Sequence, residues 1–409
     1  MFVVLALAAG LVAAAQPPLP PPPLTLAQAV AQAREHSPLR GAATELALGS
    51  AEAARLISPA LNPFVDVRVE NVGAAGRSAA LPRDVFALVS QPLEMAGKRA
   101  LRIGIASADR DVAGANLQIV SWQVSLRTVQ FYVQALKARG LLETITANRD
   151  GLTTLIDIMR RRVQEGYAAE SDLLKFETES ARMDIEMARA GLELERSLSA
   201  LAYVMGAATP ISAAQLVEPD AVPPPNLATG AVADAVTGHP ELRLATTRVQ
   251  RLREVAALER ARRIPDPVVT AGYKRTNGFD TGVAGVTLSV PLFDRNGASA
   301  ARAAGEERAA AAERDAVAGR LASEAATLMS NARMLADRSS RTVRELLEPA
   351  DAVRNAARAA FREGTADVLK LIDAERVYGD VRRVALELRL EALTASLEAR
   401  FAIGEETLP

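Results

Sequence analysis

The chain has 409 residues, a net charge of −1, no cysteine and only 4% aromatic residues, while 49% are hydrophobic, alanine prominent among them. A charge this close to zero, with no Lys/Arg-rich run interleaved with aromatics, argues against a nucleic-acid partner. Scarce aromatics beside abundant Ala, Leu, Arg and Glu point to long packed helices instead of compact cores, and without a thiol no lipid can be attached through a thioether.

Residues 1–15 form an apolar run closing on Ala13–Ala15, too short to span a bilayer but suited to an export signal. The proline-rich stretch 16–24, QPPLPPPPL, cannot continue a helix and reads as a linker. The segment from Leu26 then matches a second segment from Leu227: helix, His, Leu-Arg pair, helix and a proline-led strand. Pro92 pairs in this way with Pro291, Gly97 with Gly297, and Glu165-Gly166 with Glu363-Gly364. Two tandem repeats are therefore expected, 25–217 and 227–404, joined by the proline-rich linker 218–226.

Within the first repeat, strands are expected at about 63–72 and 84–92, followed by long helices at about 98–165 and 170–206. Val65, Val67 and Val69 alternate with Asp66, Arg68 and Glu70, so one face is apolar and the other charged. In the second repeat the strands fall at about 266–275 and 283–291, with TNGFDTG as the turn, and the helices at about 297–363 and 367–403. A 4-3 spaced apolar series runs from Leu101 to Leu136, slips by one residue at Gly140 and resumes to Met159, as a coiled-coil seam does. The helix from Lys98 would be about 100 Å long. Pro92, Gly97, Pro291 and Gly297 mark the places where strands end and helices begin.

Four amphipathic strands cannot close a membrane barrel, which needs about eight, and an open edge in lipid costs several kcal/mol for each unpaired group. Two chains would supply eight strands and a lumen filled by side chains; three would supply twelve and leave a channel. Asp66, Arg68 and Glu70 are then assigned to the barrel lumen. Lys98, Arg99, Arg102, Arg295 and Arg302 gather at the strand–helix junctions, where anionic headgroups could meet them. His36 and His239 sit beside helix-starting prolines as repeat scaffolding. With two His, no Cys and scattered Met, no metal site and no cofactor are expected.

The repeat, the junctions QPLEMAGKR and VPLFDRNG, and the hairpin turns EGYAAESDLL and EGTADVLKLIDA resemble the outer-membrane efflux protein family of TolC, with junction wording nearest its heavy-metal branch. The resemblance implies an α+β membrane protein: a homotrimer with a 12-stranded outer-membrane β-barrel, four strands from each chain, continuous with a long periplasmic coiled-coil α-helical barrel. It also implies partners, a periplasmic adaptor and an inner-membrane resistance-nodulation-division pump, with outer-membrane lipid around the barrel. By position from Gly364 the family's acidic gate falls on Lys370 and Asp373, only the second of which keeps a carboxylate; from Gly166 it falls on Asp172. Gly166, Tyr167, Ala168, Gly364, Thr365 and Ala366 would form the adaptor-docking tip. The implied role is a passive exit duct for heavy-metal cations. A drug exporter of the same fold and a periplasmic coiled-coil adaptor are the alternatives, and an enzyme is not expected, since no phosphate loop, nucleophile elbow or zinc motif occurs.

Overall fold

The computed structural model describes residues 22–72, 83–363, 365 and 367–406. The expected export signal, most of the first linker, the loop 73–82, Gly364 and Ala366 lie outside them. In chain order the elements are α1 (Leu26–His36), α2 (Pro38–Leu56), β1 (Phe64–Glu70), β2 (Asp84–Pro92), α3 (Lys98–Gln164), α4 (Glu170–Met205), the single turn α5 (Val232–Ala235) and α6 (Pro240–Ala261). Then follow β3 (Pro267–Thr276), β4 (Phe279–Leu288), α7 (Gly297–Thr342), a π-helical turn (Val343–Leu347), α8 (Glu348–Arg362) and α9 (Val368–Ala402). No described helix is long and apolar enough to cross a membrane, which says nothing of strands.

The four strands form one antiparallel sheet in the order β1-β2-β3-β4. Asn277 and Gly278 alone make the β3–β4 turn, with φ of 50° and 87°, because an Asn-Gly pair accepts the two left-handed positions a two-residue hairpin requires. The ladder therefore closes at once on Thr276 and Phe279. This moves β4 earlier than the expected 283–291 and shortens the wider turn read from TNGFDTG. Pro92 is the last residue of β2, opposite Val268. Pro291 does not terminate a ladder: the last β3–β4 pair is Pro267 with Leu288, and Pro267, having no N–H, is tolerated at a strand end.

Below the sheet the helices stand in two stacked rows. Near the sheet the order is α2, α3, α6, α7; farther away α4 and α9 flank α3, and α7 and α8 pack on α9. Helix α3 is common to both rows, its 67 residues spanning about 100 Å. The helices at the ends of each row do not pack on one another, and α2 buries none of its residues. Among the described residues, helix and sheet alike are thus left open at both flanks.

Three apolar cores hold the rows together. The central one gathers Leu26, Val129, Tyr132, Leu201, Leu397 and Phe401. Another, at the far end, joins Leu152, Met159, Phe176, Phe361 and Leu371. The third packs Val236 with Leu321, Met329 and Ala399. Tyr132 is fully buried and its hydroxyl lies 2.6 Å from the carbonyls of both Leu24 and Val217 while accepting from Val217 N–H at 2.9 Å. It ties the N-terminal segment to the start of the second linker. That linker is itself pinned, since Pro223 and Pro225 accept hydrogen bonds from Arg400 and Arg333 at 3.2 Å each.

The helix expected to run unbroken over 297–363 is interrupted by the π turn. Pro349 is the cause: it cannot donate to the carbonyl four residues earlier, and its ring crowds that turn. Gly140, where the apolar series slips, marks a close approach of α3 to α9, because a Cβ there would lie 2.8 Å from Leu386 Cδ2.

Candidate functional site

Strand register sorts the sheet into two unlike faces. On one lie Val65, Val67, Val69, Val85, Ala87, Val89, Val269, Ala271, Ala284, Val286 and Leu288, with Tyr273, Arg275 and Asp280 only at its β3–β4 hairpin end; on the other lie Asp66, Arg68, Glu70, Asp84, Ser90, Thr270, Lys274, Thr281 and Thr287, with Phe64, Phe86, Leu88 and Val283 among them. Val65, Val67 and Val286 are about 70% exposed in the single chain, an apolar area of the kind soluble monomers rarely leave open. On the polar face Arg68 stands between Asp66 and Glu70, 3.7 and 3.5 Å away. Its guanidinium lies 4.7 Å from the centre of the Phe86 ring, which Lys274 approaches from the opposite strand at 4.9 Å. Lys274 also pairs with Asp84 at 3.1 Å. The three residues assigned to the lumen therefore share one face within a connected ionic array.

At the first junction two successive residues, Ala96 and Gly97, take positive φ of 57° and 74°, swinging the chain from β2 into α3. At the second it is Asn296, with φ of 55°, that turns the chain, and Gly297 is simply the first residue of α7. The junction cations divide. Lys98 is buried, 2.8 Å from Asp266 and bonded to the Ile264 carbonyl. Arg102 is doubly bonded to Glu94 at 2.7 and 2.8 Å. These two lock α3 onto the start of β3 and onto its own approach loop, so neither is available to headgroups, and Arg302 is engaged by Glu306 at 2.9 Å. Arg99 and Arg295 remain exposed, with no ion pair among the described residues.

At the far tip Gly166, φ 80°, ends α3, and Tyr167 is 81% exposed. Thr365 donates from its N–H and hydroxyl to Ala360 O at 2.9 and 3.1 Å, closing the opposing helix. Asp172 pairs with Lys175 of its own helix at 2.8 Å, and that carboxylate raises the Lys175 pKa. Lys370 and Asp373 are exposed on the first turns of α9, without an ion pair to each other or to Asp172. Within one chain the tip is thus a pair of neighbouring polar turns, not an assembled ring.

Just above it lies a feature that sequence reading missed. Glu179, only 4% exposed, accepts from Arg376 Nε across the α4–α9 boundary at 3.0 Å and from Arg182 at 2.7 Å. Arg376 first, then Arg182, hold its pKa down to about 2 from 4.5, against the opposing effect of burial. Beside it Glu375, also buried, takes two bonds from Arg358 of α8, and Arg354 lies 3.6 Å over the Tyr378 ring. A signal was present: Phe176, Glu179 and Met183 follow 3-4 spacing, placing a charge in an otherwise apolar seam.

The consequence for acid stability has a definite sign. A depressed carboxylate stabilises the fold above its unfolded pKa of 4.5, and that contribution is lost as pH falls towards about 2. The full shift is worth ~3 kcal/mol, which half-exposed arginines reduce to about 1–2 kcal/mol. Thermal unfolding in detergent at pH 7 and pH 3 should therefore show a larger acid-induced loss in the native protein than in Glu179→Gln. Equal losses in the two would contradict this assignment.

Among the described residues no group of three or more His, Cys, Asp or Glu is arranged to hold a metal ion. Comparison with known proteins matches residues 231–405 to the family described as outer membrane efflux protein. The cobalt-zinc-cadmium resistance protein CzcC of Cupriavidus metallidurans is 27% identical over 88% of this chain and 85% of its own. The nickel and cobalt resistance protein CnrC of the same organism is 28% identical over 59% of this chain and 58% of its own. Among solved structures, CusC superposes with a TM-score of 0.81 at 16% identity, covering 93% of this chain and 92% of that one. VceC of Vibrio cholerae gives 0.77 at 18% identity, covering 93% and 96%.

Proposed function

The chain belongs to the outer membrane efflux protein family, and from that premise we propose that it is the passive exit duct of a three-component heavy-metal efflux assembly. It lies in the outer membrane of a Gram-negative cell with its helices in the periplasm. The observation that carries the reading is the open flank: a four-stranded sheet with one apolar face and two unpaired edges, standing on helical rows equally open at both ends. Three copies joined edge to edge close all three layers at once. Twelve strands then make a wall with Val65, Val67 and Val286 towards lipid and Asp66, Arg68 and Glu70 towards a water-filled lumen.

The correspondence of β1-β2-α3-α4 with β3-β4-α7/α8-α9 supports an origin in two tandem repeats, and of the twelve strands each repeat would supply two. A hydrated ion moving through such a lumen never enters hydrocarbon, so no ligand is required and the chain does no chemistry. Lys370 and Asp373 of neighbouring copies face each other across the narrowed tip and pair there, with Asp172 on the surrounding hairpins. The turns at Gly166–Ala168 and Thr365, with Gly364 and Ala366, dock the periplasmic adaptor, which in turn engages an inner-membrane resistance-nodulation-division pump. Metal cations are the cargo, in keeping with the names of the relatives.

Deleting the gene should lower tolerance to zinc, cobalt, cadmium or nickel while leaving tolerance to a panel of organic drugs unchanged. Unaltered metal tolerance together with lost drug tolerance would transfer the cargo to organic compounds.

A further inference from the structure

Phe293 is fully exposed, and its neighbours Leu292 and Val290 are largely so. The loop that carries them is tied down. Leu292 N–H donates to Val290 O at 2.9 Å, closing a tight turn around Pro291. Asn296 N–H donates to Asp294 Oδ1 at 2.8 Å, and Asn296 Nδ2 donates to the carbonyl and carboxylate of Glu259 at 2.9 and 2.8 Å. A fixed loop holding a bare phenyl ring away from the protein needs something to cover it.

Two observations say what does. The apolar face of β4 runs through Ala284, Val286 and Leu288, and Val290 is the next residue in the same alternation. The loop therefore continues the surface that faces lipid. Arg295 in the loop, and Arg263 on the connection from α6 to β3, are exposed and form no ion pair among the described residues. Apolar and aromatic side chains flanked by free arginines, at the end of a membrane strand, match the boundary between acyl chains and phosphates.

We propose that Val290–Arg295 is a membrane-surface anchor, in which Phe293 and Leu292 seat among the upper acyl carbons of the periplasm-facing leaflet and Arg295 with Arg263 meets phospholipid phosphates. The proposal rests on reading the sheet as an outer-membrane wall.

The test uses the full chain with Trp122→Phe, carrying one new tryptophan, either Phe293→Trp or Val286→Trp, in vesicles of phosphatidylethanolamine and phosphatidylglycerol. Part of the lipid is brominated high on the acyl chains. The expected result is blue-shifted emission from both tryptophans, each losing most of its intensity to the brominated lipid. If position 286 is quenched and position 293 is not, a neighbouring copy or water covers the loop and the anchor is overturned while the wall stands. If neither is quenched, the sheet is not in lipid and both readings fall.

Discussion

Gly272→Val should abolish accumulation of the protein in the outer membrane. Gly272 sits in β3 opposite Leu88 and Val283, and a Cβ there would lie 2.3 Å from Ala87 O, 2.7 Å from Leu88 Cα and 2.8 Å from Leu88 Cδ2. The first two contacts are with backbone, so relief requires β2 and β3 to separate. These are the strands on which the two halves of the sheet meet. In hydrocarbon each ladder group so released costs several kcal/mol, so a few of them together cancel the ~5–15 kcal/mol by which most domains are stable. Gly282→Ala, where nothing lies within 4 Å of the added Cβ, is the matched control and should leave the yield unchanged. The amount of protein extracted by detergent from purified outer membranes reads the difference.

The second large effect separates the two faces of the wall. Val67→Lys places a cation mid-strand on the apolar side, at about 2–4 kcal/mol in each chain, repeated in each copy of the proposed trimer. Asp66→Lys, one residue away on the polar side and next to Arg68, puts the same charge into water. Outer-membrane assembly should fail for the first and survive for the second. Failure of both, or survival of both, would mean that the faces are not divided between lipid and lumen.

How much of this could be read from the residues depended on how local the signal was. The alternation of Val65, Val67 and Val69 with charged residues defines both faces of β1 without further help, and the long helices follow from their 4-3 spacing. The Asn277-Gly278 turn was equally local, yet the surrounding polar residues suggested a wider loop. Tyr132, Thr128 and Val124 were missed as core because a single seam was sought along α3, whereas at mid-length that helix is covered on several sides by α1, α4 and α9. Lys98 looked like a free junction cation because its partner, Asp266, is identified only once β2 and β3 are paired; Glu94 is close to Arg102 in sequence, but the turn at Ala96 and Gly97 that folds it back was not read. Glu179 and Arg376 lie in different repeats, and no local pattern announces a bond between them.

The central claim is that one chain is an incomplete wall. The mass of the detergent-solubilised particle from outer membranes, with its circular dichroism, tests it most directly. The account predicts three chains in one particle, insoluble without detergent, whose spectrum carries a β-sheet contribution beside the helical one. A stable, water-soluble single chain would contradict it.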